Sequence, residues 1–168
     1  MKKKTKKIIL IIVSAVLAVA LLAVGTVFAV KYIKNNVGTT VISFESKTAL
    51  SGDTVQLSFE IAKNHGIWGG QIKINYDATA ISFVSCANGN VFDECEVNDV
   101  DGSVNLLLNQ SELKSSDING IIATLSFKIK ENAKKGDYKI EFDKSTNFCD
   151  ENAEIIEPIL EGGVITVK

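Results

Sequence analysis

The chain has 168 residues, which is the length of one ordinary domain plus an additional segment. All 18 basic residues are lysines, and the absence of Arg argues against a nucleic-acid partner, whose specific recognition relies on the bidentate guanidinium. Five lysines precede residue 8, so the chain from Lys31 onward has 13 basic and 20 acidic residues and a net charge of −7. This charge favours solubility and a partner with basic or mixed contacts.

The first 38 residues have the pattern of a membrane-targeting segment. A basic stretch, 1–7, precedes 23 residues without any charge, 8–30, and a bilayer core needs about 20 apolar residues. The lysine excess before this stretch predicts a cytoplasmic N-terminus and an extracellular body, joined by a short tether, 31–38. A cleaved signal peptide is the alternative, because Val27-Phe-Ala fits a cleavage site, but signal sequences usually have shorter apolar regions. We expect a single-pass anchor in the cell membrane, or a secreted body if the segment is cleaved.

Residues 39–168 have β-type patterning throughout. Nine runs rich in Val, Ile, Phe and Thr alternate with turns of Gly, Asn and Asp. They cover residues 40–45, 54–61, 67–76, 81–86, 94–98, 103–109, 121–130, 137–142 and 164–167. No helical period is long enough for a crossover connection, so antiparallel sheets packed as a sandwich are expected. The predicted fold is all-β, a nine-stranded antiparallel β-sandwich preceded by one N-terminal transmembrane helix.

Alternation of polar and apolar residues predicts which side chains face the core. The inward residues are Val55, Leu57, Phe59, Ile61, Ile72, Ile74, Tyr76, Val104, Leu106, Leu108, Ala123, Leu125, Phe127, Ile129, Tyr138, Ile140 and Phe142. The outward residues are Gln71, Lys73, Asn75, Asn105, Leu107, Asn109, Lys139 and Glu141. An apolar Leu107 surrounded by amides is a candidate interface anchor, although a single exposed Leu is also common on monomers.

Six stretches resemble, in the same order, motifs of the cohesin family, the β-sandwich receptors that hold dockerin-bearing enzymes in cellulosome-type assemblies. They begin with Ser51-Gly-Asp-Thr-Val and with Gly66 to Ser85, which contains Tyr76-Asp-Ala-Thr-Ala-Ile-Ser-Phe-Val-Ser. The others are Gly102 to Leu108, Asn119 to Lys130, Glu131 to Tyr138 and Gly162 to Val167. The resemblance covers residues 40–168. It implies a nine-stranded jelly-roll sandwich that binds a dockerin across the third, fifth, sixth and eighth predicted strands.

The resemblance also implies positions for the partner-binding residues. Cohesins carry an Asn and an Asp on the third strand of this face, and a Leu and a Glu on the sixth. The matching positions here are Gly69, Gln71, Leu107 and Gln110, of which only Leu107 keeps the family residue. With the outward neighbours, the candidate partner-binding set is Gly69, Gln71, Lys73, Asn75, Asn105, Leu107, Asn109 and Gln110.

No catalytic, metal or cofactor site is predicted. The only histidine, His65, has the neighbours of a solvated turn. A calcium-type loop around Asp101-Gly would place Val97 and Leu108 at its first and last ligand positions, so this stretch is predicted to be a hairpin turn instead. At most one disulfide is expected in the exported body, and its pairing is left open among Cys86, Cys95 and Cys149.

Two functions are compatible with these observations. The first is a non-catalytic cell-surface module that binds a dockerin-bearing protein, a glycoside hydrolase or a scaffoldin, for polysaccharide degradation. The alternative is a carbohydrate-binding module that recognises polysaccharide directly, because such modules share the jelly-roll architecture. The predicted outward residues include amides and charges rather than planar aromatics, which favours a protein partner.

Overall fold

A computed structural model describes residues 39–109 and 118–168, and Thr39–Lys168 form one compact unit. The anchor predicted at 8–30 lies outside the described residues. Within the described ranges, no helix is long and apolar enough to cross a membrane.

The described residues contain thirteen strands. They are β1 (Val41–Phe44), β2 (Lys47–Ala49), β3 (Thr54–Ala62), β4 (Gly69–Tyr76), β5 (Ile81–Asn88), β6 (Glu94–Val100), β7 (Ser103–Asn109), β8 (Gly120–Ile129), β9 (Gly136–Phe142), β10 (Asn147–Cys149), β11 (Ile155–Ile156), β12 (Ile159–Glu161) and β13 (Gly163–Val167). All nine predicted strands are present. The count of nine is wrong, because β2, β10, β11 and β12 are only two or three residues long and carry no readable period.

The strands form the two sheets of a β-sandwich, so the predicted all-β sandwich is confirmed. The first sheet has the order β12-β1-β3-β8-β5. In the second sheet, β6, β7, β4, β9, β13 and β2 lie side by side in that order. β10 pairs with β4 on the same edge as β9, and β11 pairs with β10.

The prediction of purely antiparallel sheets is wrong, because β1 runs parallel to β12 and β2 runs parallel to β13. In the first parallel pair Val41 lies opposite Ile159, and in the second Lys47 lies opposite Ile165. The two ends of the domain therefore run alongside each other as they pass from the first sheet to the second. A Cβ at Gly163 would lie 2.5 Å from the Glu45 carbonyl oxygen, so glycine permits the close approach at this corner.

The core lies between the sheets and agrees with most of the predicted inward faces. The predicted inward residues of β3, β4, β7 and β8 are all buried. On β9, Ile140 is buried, whereas Tyr138 and Phe142 are half-buried. The ring centroid of Phe142 is 5.1 Å from that of Phe44 and 6.3 Å from that of Phe59. These aromatic contacts pack the second sheet against the first. They therefore help to fix the position of the strands whose outer side chains are described below.

Candidate partner-binding face

The four strands that the resemblance assigns to partner binding lie side by side in the second sheet, as β6, β7, β4 and β9. Their outward side chains, together with those of β10 and β11, are called the display face below. Because β4 and β7 pair without a bulge, outward residues of neighbouring strands fall into rows across the sheet.

Leu107 lies in a row of exposed polar residues. Its Cα partner is Gln71 on β4 and Glu96 on β6, and Gln71 in turn pairs with Asn147 on β10. The Leu107 side chain is 51% exposed, while Gln71, Glu96 and Asn147 are also exposed. The sequence-predicted pair Gln71 and Leu107 is therefore brought together in one accessible row.

The next row contains Lys73 and Asn105, which are Cα partners and half-buried. Here β4 lacks a regular strand neighbour on its other side, because the chain between β9 and β10 turns away at residues 143–146. The Thr146 hydroxyl fills this gap: it accepts a hydrogen bond from the Lys73 backbone N–H and donates one to the Lys73 carbonyl, both at 3.1 Å. The Asp143 N–H also donates to the Lys73 carbonyl at 2.7 Å.

Asn75 lies one row further along, between Ser103 on β7 and Glu141 on β9. Its side-chain amide donates to Asp143 Oδ2 at 2.8 Å. The backbone N–H of Ser145, followed by the Asn75 amide, holds the pKa of Asp143 well below its ordinary value of 3.8. Asp143 therefore remains ionised at physiological pH.

Three predicted partner-binding residues lie outside these three rows. Gly69 is buried, and a Cβ there would lie 3.1 Å from the Leu108 carbonyl oxygen, so this position offers no displayed side chain. Asn109 is exposed at the end of β7, opposite Glu94. Gln110 lies outside the described residues.

Ile155 on β11 is a residue of the display face that sequence reasoning missed. It pairs with Cys149, which pairs with Gly69, and the alternation along β10 and β11 turns Ile155 to the same side as Gln71. At 79% exposed, it is the most exposed large apolar side chain among the described residues. A two-residue strand gives no periodic signal, but an Ile-Ile pair within an acidic loop is an available clue.

The remaining residues considered for a metal, catalytic or disulfide role lie in turns and strands of the domain. The predicted hairpin turn between β6 and β7 is confirmed, with Gly102 at a φ of +86°. His65 is exposed in its turn. Cys149 is a free thiol whose Sγ lies 3.8 Å from the Gly69 carbonyl oxygen. The side chain of Cys95 lies outside the described residues, so a bridge involving it stays a prediction. No group of three His, Cys, Asp or Glu residues suited to a metal occurs in the described ranges.

Together these features define a β-sandwich module whose distinctive surface is one sheet face with exposed apolar residues among polar ones. The sequence profile of the Cohesin domain matches residues 40–167, and the chain therefore belongs to the cohesin family. The recognition made from the sequence motifs is thus confirmed. A comparison with curated proteins finds no significant match.

Solved cohesin structures have the same fold. The cohesin CaCohA2 of Clostridium acetobutylicum, solved in complex with a dockerin, is 27% identical with a TM-score of 0.68, over 77% of this chain and all of that one. The OlpA cohesin from a Clostridium thermocellum cohesin–dockerin complex is 18% identical with a TM-score of 0.70, over 78% and 100% of the two chains. A non-cellulosomal cohesin of Archaeoglobus fulgidus is 11% identical with a TM-score of 0.66, over 78% and 92%.

Proposed function

We propose that this chain is a non-catalytic cohesin module that binds a dockerin-bearing protein through its display face. The observation that carries the proposal is the half-exposed Leu107 in a row with Glu96, Gln71 and Asn147. Interface anchors are typically apolar or aromatic side chains in the middle of a patch, surrounded by polar groups that exclude water. Similarity to cohesins solved with bound dockerins supports this partner class.

Ile155 extends the same surface beyond β4. Three strand spacings separate β11 from β7, which corresponds to about 14 Å across the sheet. Ile155 is in the row of Cys149 and Gly69, next to the row of Gln71 and Leu107; Gly69 has no side chain, and Cys149 is half-buried. A partner segment that rests on the sheet can contact both apolar residues, so we include Ile155 in the proposed interface.

The cellular setting is part of the proposal. The uncharged stretch 8–30 anchors the domain in the cell membrane, and the body is extracellular. The partner is a glycoside hydrolase or a scaffoldin that takes part in polysaccharide degradation. Protease treatment of intact cells tests this placement, because an extracellular body is digested while a cytosolic marker is spared; protection of the body would contradict it.

Binding of dockerin is tested with the full chain in detergent. The first probe is the variant of the dockerin CaDoc0917 that was solved with CaCohA2, followed by a panel of dockerin modules of other origins. Saturable one-to-one binding by titration calorimetry supports the proposal. A parallel pull-down on cellulose and starch tests the carbohydrate-binding alternative; retention on polysaccharide without binding of any dockerin would replace the proposal with that alternative.

A further inference from the structure

Asp143 makes hydrogen bonds in two directions at the margin of the display face. Its Oδ1 accepts from the Ser145 backbone N–H at 2.9 Å and from the Ser145 hydroxyl at 2.7 Å. Its Oδ2 accepts from Asn75 Nδ2 at 2.8 Å. The first pair of bonds shapes a local turn, and the second reaches a residue 68 positions earlier in the sequence.

The same local turn occurs at Asp77, which provides an internal comparison. Asp77 Oδ1 accepts from the Thr79 backbone N–H at 2.9 Å and from the Thr79 hydroxyl at 2.6 Å. One carboxylate oxygen therefore suffices to form such a turn. The second oxygen of Asp143 is available for Asn75 and is not needed for the turn.

The contact with Asp143 determines how the Asn75 amide is oriented. An ionised carboxylate only accepts hydrogen bonds, so the NH₂ group of Asn75 must point to Asp143 and its carbonyl oxygen must point away. No described residue donates a hydrogen bond to that oxygen. Asn75 thus presents a fixed acceptor rather than an amide that is free to flip.

The neighbours of Asn75 in its row favour a donor on the partner. Glu141, on one side, is exposed and is another acceptor. On the other side is Ser103, whose Oγ is buried and therefore presents no donor or acceptor to a partner.

We propose that Asn75 is a specificity-determining residue of the display face, an oriented acceptor for a hydrogen-bond donor of the dockerin, and that Asp143 is its positioning residue. The inference rests on the proposed function. Gly69 has no side chain, and no described residue orients the Gln71 amide, so Asn75 is the oriented acceptor of β4.

A double-mutant cycle tests the proposal with the full chain in detergent and any dockerin that binds the wild type. Asn75→Ala is expected to weaken binding about 3- to 10-fold, the range for one net hydrogen bond. Asp143→Ala is expected to weaken binding by a similar or smaller factor. In the Asn75→Ala background, Asp143→Ala should cause no further loss, because its effect is exerted through Asn75. Asp77→Ala is the matched control, since it removes the same type of turn without a contact to Asn75.

The outcomes separate this inference from the proposed function. If the wild-type chain binds no dockerin, both are overturned. If the wild type binds but Asn75→Ala has unchanged affinity, only the acceptor role is overturned. If the Asp143→Ala loss is fully retained in the Asn75→Ala background, or is matched by Asp77→Ala, Asp143 acts through the turn and the positioning role is overturned.

Discussion

Replacement of Leu107 by Ala is the most direct test of the display face. Full burial of a Leu side chain is worth about 1.5–3 kcal/mol. Because Leu107 is 51% exposed in the free domain, a partner that covers it gains about half of that value, which is ~0.8–1.5 kcal/mol. The corresponding loss of affinity in Leu107→Ala is about 4- to 12-fold.

Titration calorimetry of the variant against a dockerin that binds the wild type measures this loss, and thermal unfolding checks the fold. Leu50→Ala is a matched control, because Leu50 is 57% exposed and lies in the turn between β2 and β3. Both substitutions should change the free energy of unfolding by less than about 1 kcal/mol. The reasoning is refuted if Leu107→Ala binds as tightly as the wild type, or if Leu50→Ala loses as much affinity.

Three further predictions concern the strands and the turn that carry this face. Ile155→Ala should weaken dockerin binding about 7- to 50-fold in the same calorimetric assay, because this side chain is 79% exposed in the free domain; unaltered binding would limit the interface to β6, β7, β4 and β9. Gly70→Ala should destabilise the domain by about 2 kcal/mol or more in urea unfolding, because the new Cβ would lie 2.4 Å from the Asn147 carbonyl oxygen; a stability equal to that of the wild type would contradict this close approach. The pKa of Asp143 is lower in the folded chain than its ordinary value of 3.8, so its stabilising contribution is fully present above that value and is lost as the pH falls through the lower folded-state pKa. Acid-unfolding curves of Asp143→Asn should therefore show a weaker loss of stability below pH 3.8 than the wild type, and an identical acid dependence would contradict the assignment.

The sequence contains enough information to predict the longer strands and most of the core. Runs such as β3 and β8 alternate over many residues, and a one-residue slip would turn every apolar side chain to solvent. The parallel pairing of β1 with β12 is not readable in the same way. It depends on residues 118 positions apart, Val41 and Ile159, and on segments too short to have a period. Such strands exist because a neighbouring strand pairs with them, which is a property of the folded chain.

The display face was predictable where regular alternation controls it and unpredictable elsewhere. Gln71 and Leu107 are placed by the alternation of β4 and β7, and the structure brings them opposite each other. Gly69 has no side chain to display, and its burial depends on how closely the Leu108 backbone approaches. The contact of Asp143 with Asn75 links a turn between β9 and β10 to a residue 68 positions earlier; the composition of the turn is typical, but nothing local indicates which distant residue it contacts.

The polar side chains of the display face can change while the fold is kept. The core residues behind β4 and β7 determine the shape of the sheet, and they do not depend on which polar side chains point outward. Substitution of the exposed Gln71 is therefore inexpensive for folding but changes which partner groups are left unpaired on docking. An unpaired buried donor costs about 1–3 kcal/mol, so a dockerin that presents a donor to position 69, where there is no side chain, is penalised. A dockerin that presents a donor to Asn75 is not. In the proposed interface, apolar contacts with Leu107 and Ile155 would supply affinity to either kind of partner, whereas the position of the acceptor would discriminate between them.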